Sequence, residues 1–140
     1  MGAAEKFYLT IRNSSKSKTL VLADIQFKWG RVSDGGGPVK EVPPKSTVQV
    51  LIAQGRDNTS SGTEGWIKYD VKDTPGKWVQ ANWDVPWLSG KKNTCTLLSS
   101  ADDASEDDPT GNVVWEPLTP LSSDGTSLSV IVEFGYVIEL

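Results

Sequence analysis

Along most of this chain, apolar and polar residues alternate at every second position. Phe7, Leu9 and Ile11 stand against Tyr8, Thr10 and Arg12, which is the pattern of a strand with one buried face. Ile67, Tyr69 and Val71 oppose Trp66, Lys68 and Asp70 within 65–71 in the same way. Segments 19–29, 47–52, 77–83, 93–98, 113–115, 127–133 and 136–138 are also rich in β-formers and short enough for strands. Clusters of Asn, Ser, Asp, Gly and Pro separate them, among them Asn13–Ser17, Ser33–Pro38 and Asp73–Gly76. No window carries an apolar stripe at helical spacing with caps. The pattern predicts an all-β fold, a single-domain antiparallel β-sandwich over residues 1–140. The polar stretch 99–111 reads as a solvated loop.

Composition removes several chemistries. The 140 residues contain no histidine and one cysteine, Cys95. Ser–His–Asp and Cys–His catalysis therefore lack their base, and imidazole or thiolate zinc sites lack their ligands. No metal or other cofactor is expected. An internal disulfide and a transmembrane helix are excluded on the same grounds. A pair of carboxylates acting as a glycosidase has no positive signal, because 18 acidic residues make some pair inevitable.

Charge divides the chain unevenly. The net charge of −4 conceals +5 over residues 1–92 and −9 over residues 93–140. Either the two portions lie against each other and neutralise locally, or the acidic part docks a partner. The basic residues are scattered and the sequence pI is about 4.8, so nucleic acid is not an expected partner. No secretory signal is visible at Met1–Lys6, so synthesis without a signal peptide is expected.

Six tryptophans, twice the number of Tyr or Phe, are the distinctive presence. An indole can fill a core, stack on a sugar or an ammonium group, or sit at a membrane interface. Trp115, within apolar alternation, suits a core. Trp87 follows Pro86 and precedes Leu88-Ser89-Gly90, which places it in a loop, where ligand contact is favoured over packing.

Order and spacing then become informative. Phe27-Lys28-Trp29-Gly30-Arg31 is followed by Gly55-Arg56, then Gly62-Thr63-Glu64-Gly65. Next come Trp83-Asp84-Val85-Pro86-Trp87 and the basic turn Ser89-Gly90-Lys91-Lys92-Asn93. From about Phe7 to Glu133 this order resembles the aegerolysin family. The chain departs from familiar fungal members at Gln54 and Val85, where those carry Cys, and at Lys6, where a Trp is common. Asp102–Asp108 reads as an insertion, and these departures lean toward the bacterial, binary-toxin side of the family. The resemblance implies a non-enzymatic protein that binds membrane lipids of the sphingolipid type, in some members with sterol. It further implies the small targeting component of a pore-forming, in some cases insecticidal, toxin acting extracellularly with a larger partner protein. Trp29, Trp83 and Trp87 fall on the family's aromatic positions and Arg56 on its Gly-Arg motif.

Residue chemistry is compatible with that reading and coarser than it. Arg56 or Lys91 suits a lipid phosphate, and Glu64 or Asp84 suits an ammonium group. A structural salt bridge for Arg56 and a turn-capping role for Glu64 are the plain alternatives. The candidate lipid-binding set is thus Trp29, Arg56, Glu64, Trp83, Asp84, Trp87 and Lys91. A carbohydrate-binding β-sandwich module is the competing class. Calcium at Asp102–Asp108 is a lesser option, because that run lacks the spacing of an EF-hand loop.

Overall fold

The computed structural model describes residues 5–56, 61–87, 90–103 and 113–137. Among the described residues eleven strands run in chain order: β1 Lys6–Asn13, β2 Leu20–Trp29, β3 Arg31–Val32, β4 Glu41–Val42, β5 Ser46–Gln54, β6 Thr63–Val71, β7 Trp78–Val85, β8 Asn93–Ser99, β9 Val113–Pro117, β10 Ser122–Ser123 and β11 Ser127–Tyr136. They form two sheets, β3-β5-β1-β11-β9 and β10-β8-β7-β6-β2-β4, which pack as a β-sandwich. Among the described residues the pairings are antiparallel except β1 with β11, which run parallel from Lys6–Ser127 to Asn13–Phe134.

The predicted alternation supplies the core. β1 buries Phe7, Leu9 and Ile11 and β11 buries Leu128, Val130, Val132 and Phe134. From the facing sheet, Ile67, Tyr69, Val79, Ala81, Trp83 and Val85 meet them. Trp83 ties the layers together. Its ring stacks on Phe7 of the other sheet at 5.2 Å between centroids, and Phe27 meets it edge-on at 5.3 Å.

β2 does not alternate cleanly, and two bulges explain why. The register with β6 shifts between Leu22 and Asp24 and again between Phe27 and Trp29. Leu20 and Leu22 face the core before the first bulge, whereas Ile25 and Phe27 do so after it. The second bulge turns Trp29 away from the side that Phe27 occupies.

Turn chemistry holds as predicted at Asn13–Ser17. Asn13 Nδ2 donates to the carbonyls of Lys18 (2.8 Å) and Val42 (3.0 Å), while Oδ1 accepts from the Ser15 amide (3.0 Å). At Asp73–Gly76, the Thr74 amide bonds the Val71 carbonyl and Lys77 bonds Thr74. The expected solvated loop from Ser99 requires correction at its start. Ser99 and Ser100 are buried, and Ser100 Oγ accepts from the Trp78 amide at 3.1 Å, opening a 3-10 turn over Ser100–Asp103. The rest of the acidic segment, 104–112, lies outside the described residues, and with it the question of calcium. The oppositely charged portions of the chain meet at Arg12 and Glu133, neighbours on β1 and β11 with 4.0 Å between Nε and Oε2.

Cys95 is buried on β8, where desolvation pushes its thiol up from an ordinary 9.0 to about 12. Burial also raises the Tyr69 phenol above its ordinary 10.0. Both groups ionise earlier in the unfolded chain than in the fold. Their contribution to stability is whole below about pH 9 and is lost as pH rises from there toward 12. Urea midpoints are expected to fall steadily above pH 9, and the Cys95→Ala variant is expected to flatten the first part of that fall. A thiol reagent near pH 8 is expected to label Cys95 only once urea has unfolded the chain.

Candidate functional site

One end of the β2-β6-β7-β8 layer gathers most of the candidate residues. Cross-strand register sets Trp29, Glu64, Asp84 and Thr94 in one row on the outer face. Beyond that row the chain turns at Pro86-Trp87, and Lys91 precedes β8. A recess of about 370 Å³ results, lined by Trp29, Glu64, Asp84, Trp87 and Lys91 together with the 61–63 and 85–86 backbone.

The Gly-Thr-Glu-Gly motif builds this recess, each residue for its own reason. A β-carbon at Gly62 would lie 2.1 Å from the Val85 carbonyl oxygen and 2.9 Å from the Trp87 amide nitrogen. Only glycine lets the two segments close. Thr63 Oγ1 accepts from the Trp83 indole at 3.0 Å and donates to the Trp29 carbonyl at 3.3 Å. It thereby holds the end of β2 to the core. Glu64 projects outward, with Lys28 Nζ at 3.9 Å. At Gly65, an added β-carbon would stand 2.2 Å from the Gln26 carbonyl and 2.9 Å from the Trp83 ring. Past Trp29, Gly30 takes φ +90, a conformation that L side chains rarely adopt, and this bend leads the chain into β3.

A consequence can be tested at Gly62. Gly62→Ala must push the 85–87 backbone aside, at a cost of about 1–3 kcal/mol typical of overpacking. A lowered melting temperature with an altered tryptophan emission spectrum is the expected result. An unchanged melt would show that the segments separate freely.

The electrostatics of the recess are mixed. Two carboxylates, Glu64 and Asp84, sit across from each other on β6 and β7, Lys91 lines the recess with them, and Lys28 reaches Glu64 from the adjoining groove. The Lys28–Glu64 contact joins side chains that are 66% and 35% exposed, so solvent screening keeps it below about 1 kcal/mol. Both charges remain available to a ligand. Trp29 and Trp87 are 58% and 41% exposed, unusual values for so large an apolar group.

Five of the seven predicted residues therefore converge: Trp29, Glu64, Asp84, Trp87 and Lys91. The expectation for Trp83 is corrected. Strand parity points it inward, it is 2% exposed, and it supports the recess from beneath through Thr63. Arg56 is exposed beyond Gly55, with its amide donating to Ser61 Oγ at 3.1 Å, and does not line the recess. Trp115, expected in the core, is half-buried against it with its indole N–H on the Gln80 carbonyl at 3.0 Å. Lys28 and Thr63 were not anticipated. Alternation could not reveal them, because one lies at a bulge and the other acts through cross-strand partners.

Among the described residues no helix is long and apolar enough to cross a membrane. The fold and recess define an all-β sandwich with an aromatic-edged, charged cavity at one end, the architecture of a recognition protein. The aegerolysin family model matches residues 4–105, and the chain belongs to that family. It is accordingly a non-enzymatic binding protein.

Three solved structures share the fold. RahU protein, solved with a TRIS molecule, superposes with TM-score 0.65 at 22% identity, covering 97% of this chain and 98% of that one. The lipid binding protein Nakanori gives TM-score 0.65 at 13% identity over 96% and 72% of the two chains. IP-1A from Alcaligenes faecalis gives TM-score 0.53 at 21% identity over 94% and 90%. No curated protein sequence is matched.

Proposed function

We propose that this chain binds the headgroup of a membrane lipid in the Trp29–Trp87 recess. The observation that carries the reading is the pairing of two exposed indoles with charges of both signs in one cavity. Indole prefers the boundary between headgroups and acyl chains, where one edge stays wet. Glu64 and Asp84 suit a headgroup ammonium, and Lys91 suits its phosphate. A protein of net charge −4 gains little from anionic leaflets, so a zwitterionic headgroup fits best. Membership of the aegerolysin family and the likeness to a lipid binding protein support this reading.

In the finer reading, the lipid is of the sphingolipid type, alone or with sterol. The chain then serves as the targeting component of a binary pore-forming toxin, insecticidal in action, with a larger partner protein. It would act outside the cell that makes it. Sedimentation with vesicles of phosphatidylcholine, sphingomyelin with cholesterol, or ceramide phosphoethanolamine tests the lipid. Binding to at least one zwitterionic mixture is expected. Failure on all of them would overturn the reading.

A further inference from the structure

We propose that the outer face of β6, β7 and β8 carries a saccharide site, a groove that takes one neutral hexopyranose unit beside the headgroup recess. Next to the Trp29-Glu64-Asp84-Thr94 row, register sets a second row across the same strands: Gln26, Trp66, Asn82 and Thr96. Neighbouring strands lie ~4.8 Å apart and successive outward residues roughly 6.7 Å apart, so the rows form a grid on the scale of a sugar ring. A flat sheet face would offer no cavity, but this one is sunk. β2 bulges between Phe27 and Trp29, and at that irregularity the groove opens among Gln26, Lys28, Trp66, Asn82, Thr94 and Thr96. The groove holds about 490 Å³, within the range of roughly 300–1,000 Å³ common to small-molecule sites.

The groups around that groove have spare hydrogen-bonding capacity. Asn82 Oδ1 accepts from Gln80 at 2.8 Å, which leaves its Nδ2 hydrogens uncommitted. Gln26 Nε2 donates to Asp24 at 3.1 Å, which leaves its Oε1 available. The Thr94 and Thr96 hydroxyls, the Trp66 indole N–H and the Asp84 carboxylate have no hydrogen-bonded partner among the described residues. Donors, acceptors and hydroxyls that serve as either are thus interleaved. Sugar hydroxyls, each donor and acceptor at once, meet that arrangement best. An apolar ligand would strand these groups, and a phosphate would face two carboxylates against the single ammonium of Lys28. The half-buried Trp66 ring, in the outer row, supplies an apolar surface for the C–H face of a pyranose.

The test uses the isotope-labelled full chain and soluble probes, so it stands independently of membrane binding. Methyl β-D-glucopyranoside, methyl β-D-galactopyranoside and methyl α-D-mannopyranoside are titrated separately and followed by amide and indole chemical shifts. Saturable shifts at Trp66, Asn82, Thr94 and Thr96 with at least one hexoside are expected. They should weaken about tenfold or more in Asn82→Leu and in Thr96→Val. The second variant is nearly isosteric and on a strand, so it keeps the comparison valid if the first folds poorly. Vesicle sedimentation by Thr96→Val is expected to match the parent chain. Absence of saturable shifts with all three sugars, or shifts unchanged in Thr96→Val, overturns the proposal. Shifts in this groove with phosphocholine alone overturn it equally.

Discussion

Trp83→Ala is expected to lower stability by about 3–5 kcal/mol, the usual cost of truncating a buried tryptophan. Its ring is 2% exposed and packs against both layers, on Phe7 at 5.2 Å and Phe27 at 5.3 Å. Truncation leaves a cavity between the sheets and removes the indole donor from Thr63. Domains are stable by only about 5–15 kcal/mol, so roughly a fifth or more of the margin disappears. A fall of roughly 10–20 °C in melting temperature should accompany it. Trp83→Phe, which retains a ring and loses the N–H, should recover much of the loss. Calorimetry on the three proteins distinguishes packing from the hydrogen bond. A Trp83→Ala protein that melts with the parent would mean that the ring does not bridge the sheets.

The second large effect lies at the recess and acts on binding. Trp87 is 41% exposed, which corresponds to roughly 100 Å² of indole surface left in water. Burying that area in a lipid interface contributes up to about 2.5 kcal/mol. Trp87→Ala should therefore weaken vesicle binding by about 10- to 60-fold, with a melting temperature close to that of the parent. Trp29, 58% exposed, should behave alike, and the double variant should sediment with no vesicle fraction. Sedimentation and melting curves on the same preparations provide the check. A large stability loss in Trp87→Ala would place the residue in a structural role. Unchanged vesicle binding would remove the recess from the interface.

Most of the strand content could be read from alternation, because β1, β6, β7 and β11 each bury alternate side chains and expose the rest. Segments 127–133 and 136–138 nevertheless read as two strands. Gly135 interrupts the pattern, but the backbone pairs with β9 straight through it. The two-residue strands β3, β4 and β10 carry too few positions for any period. The bulges of β2 are invisible for a different reason. A one-residue shift reverses which side faces the core, and only the partner strand fixes where it falls.

The site was legible in proportion to how locally it is determined. Trp87 lies after a proline in a loop, so exposure followed from its neighbours in sequence. Trp83 resembles it by motif, yet strand parity turns it inward, and parity was the better guide. The adjoining row of Gln26, Trp66, Asn82 and Thr96 joins four strands, an assembly that no single stretch of sequence encodes.

The parallel pairing of β1 with β11 has a kinetic consequence. β1 is an interior strand of its sheet, and Lys6 waits for Ser127 before one of its edges is satisfied. Until then the apolar faces of β1 and β5 have only part of their cover, since Leu128, Val130, Val132 and Phe134 all arrive with the last strand. Such non-local closure places a domain among the slow folders, in milliseconds to seconds. During synthesis the chain must carry an unfinished sheet, with an open edge prone to wrong pairing, until β11 has emerged. A fragment stopping at residue 105, where the family model ends, would be held permanently in that unfinished state.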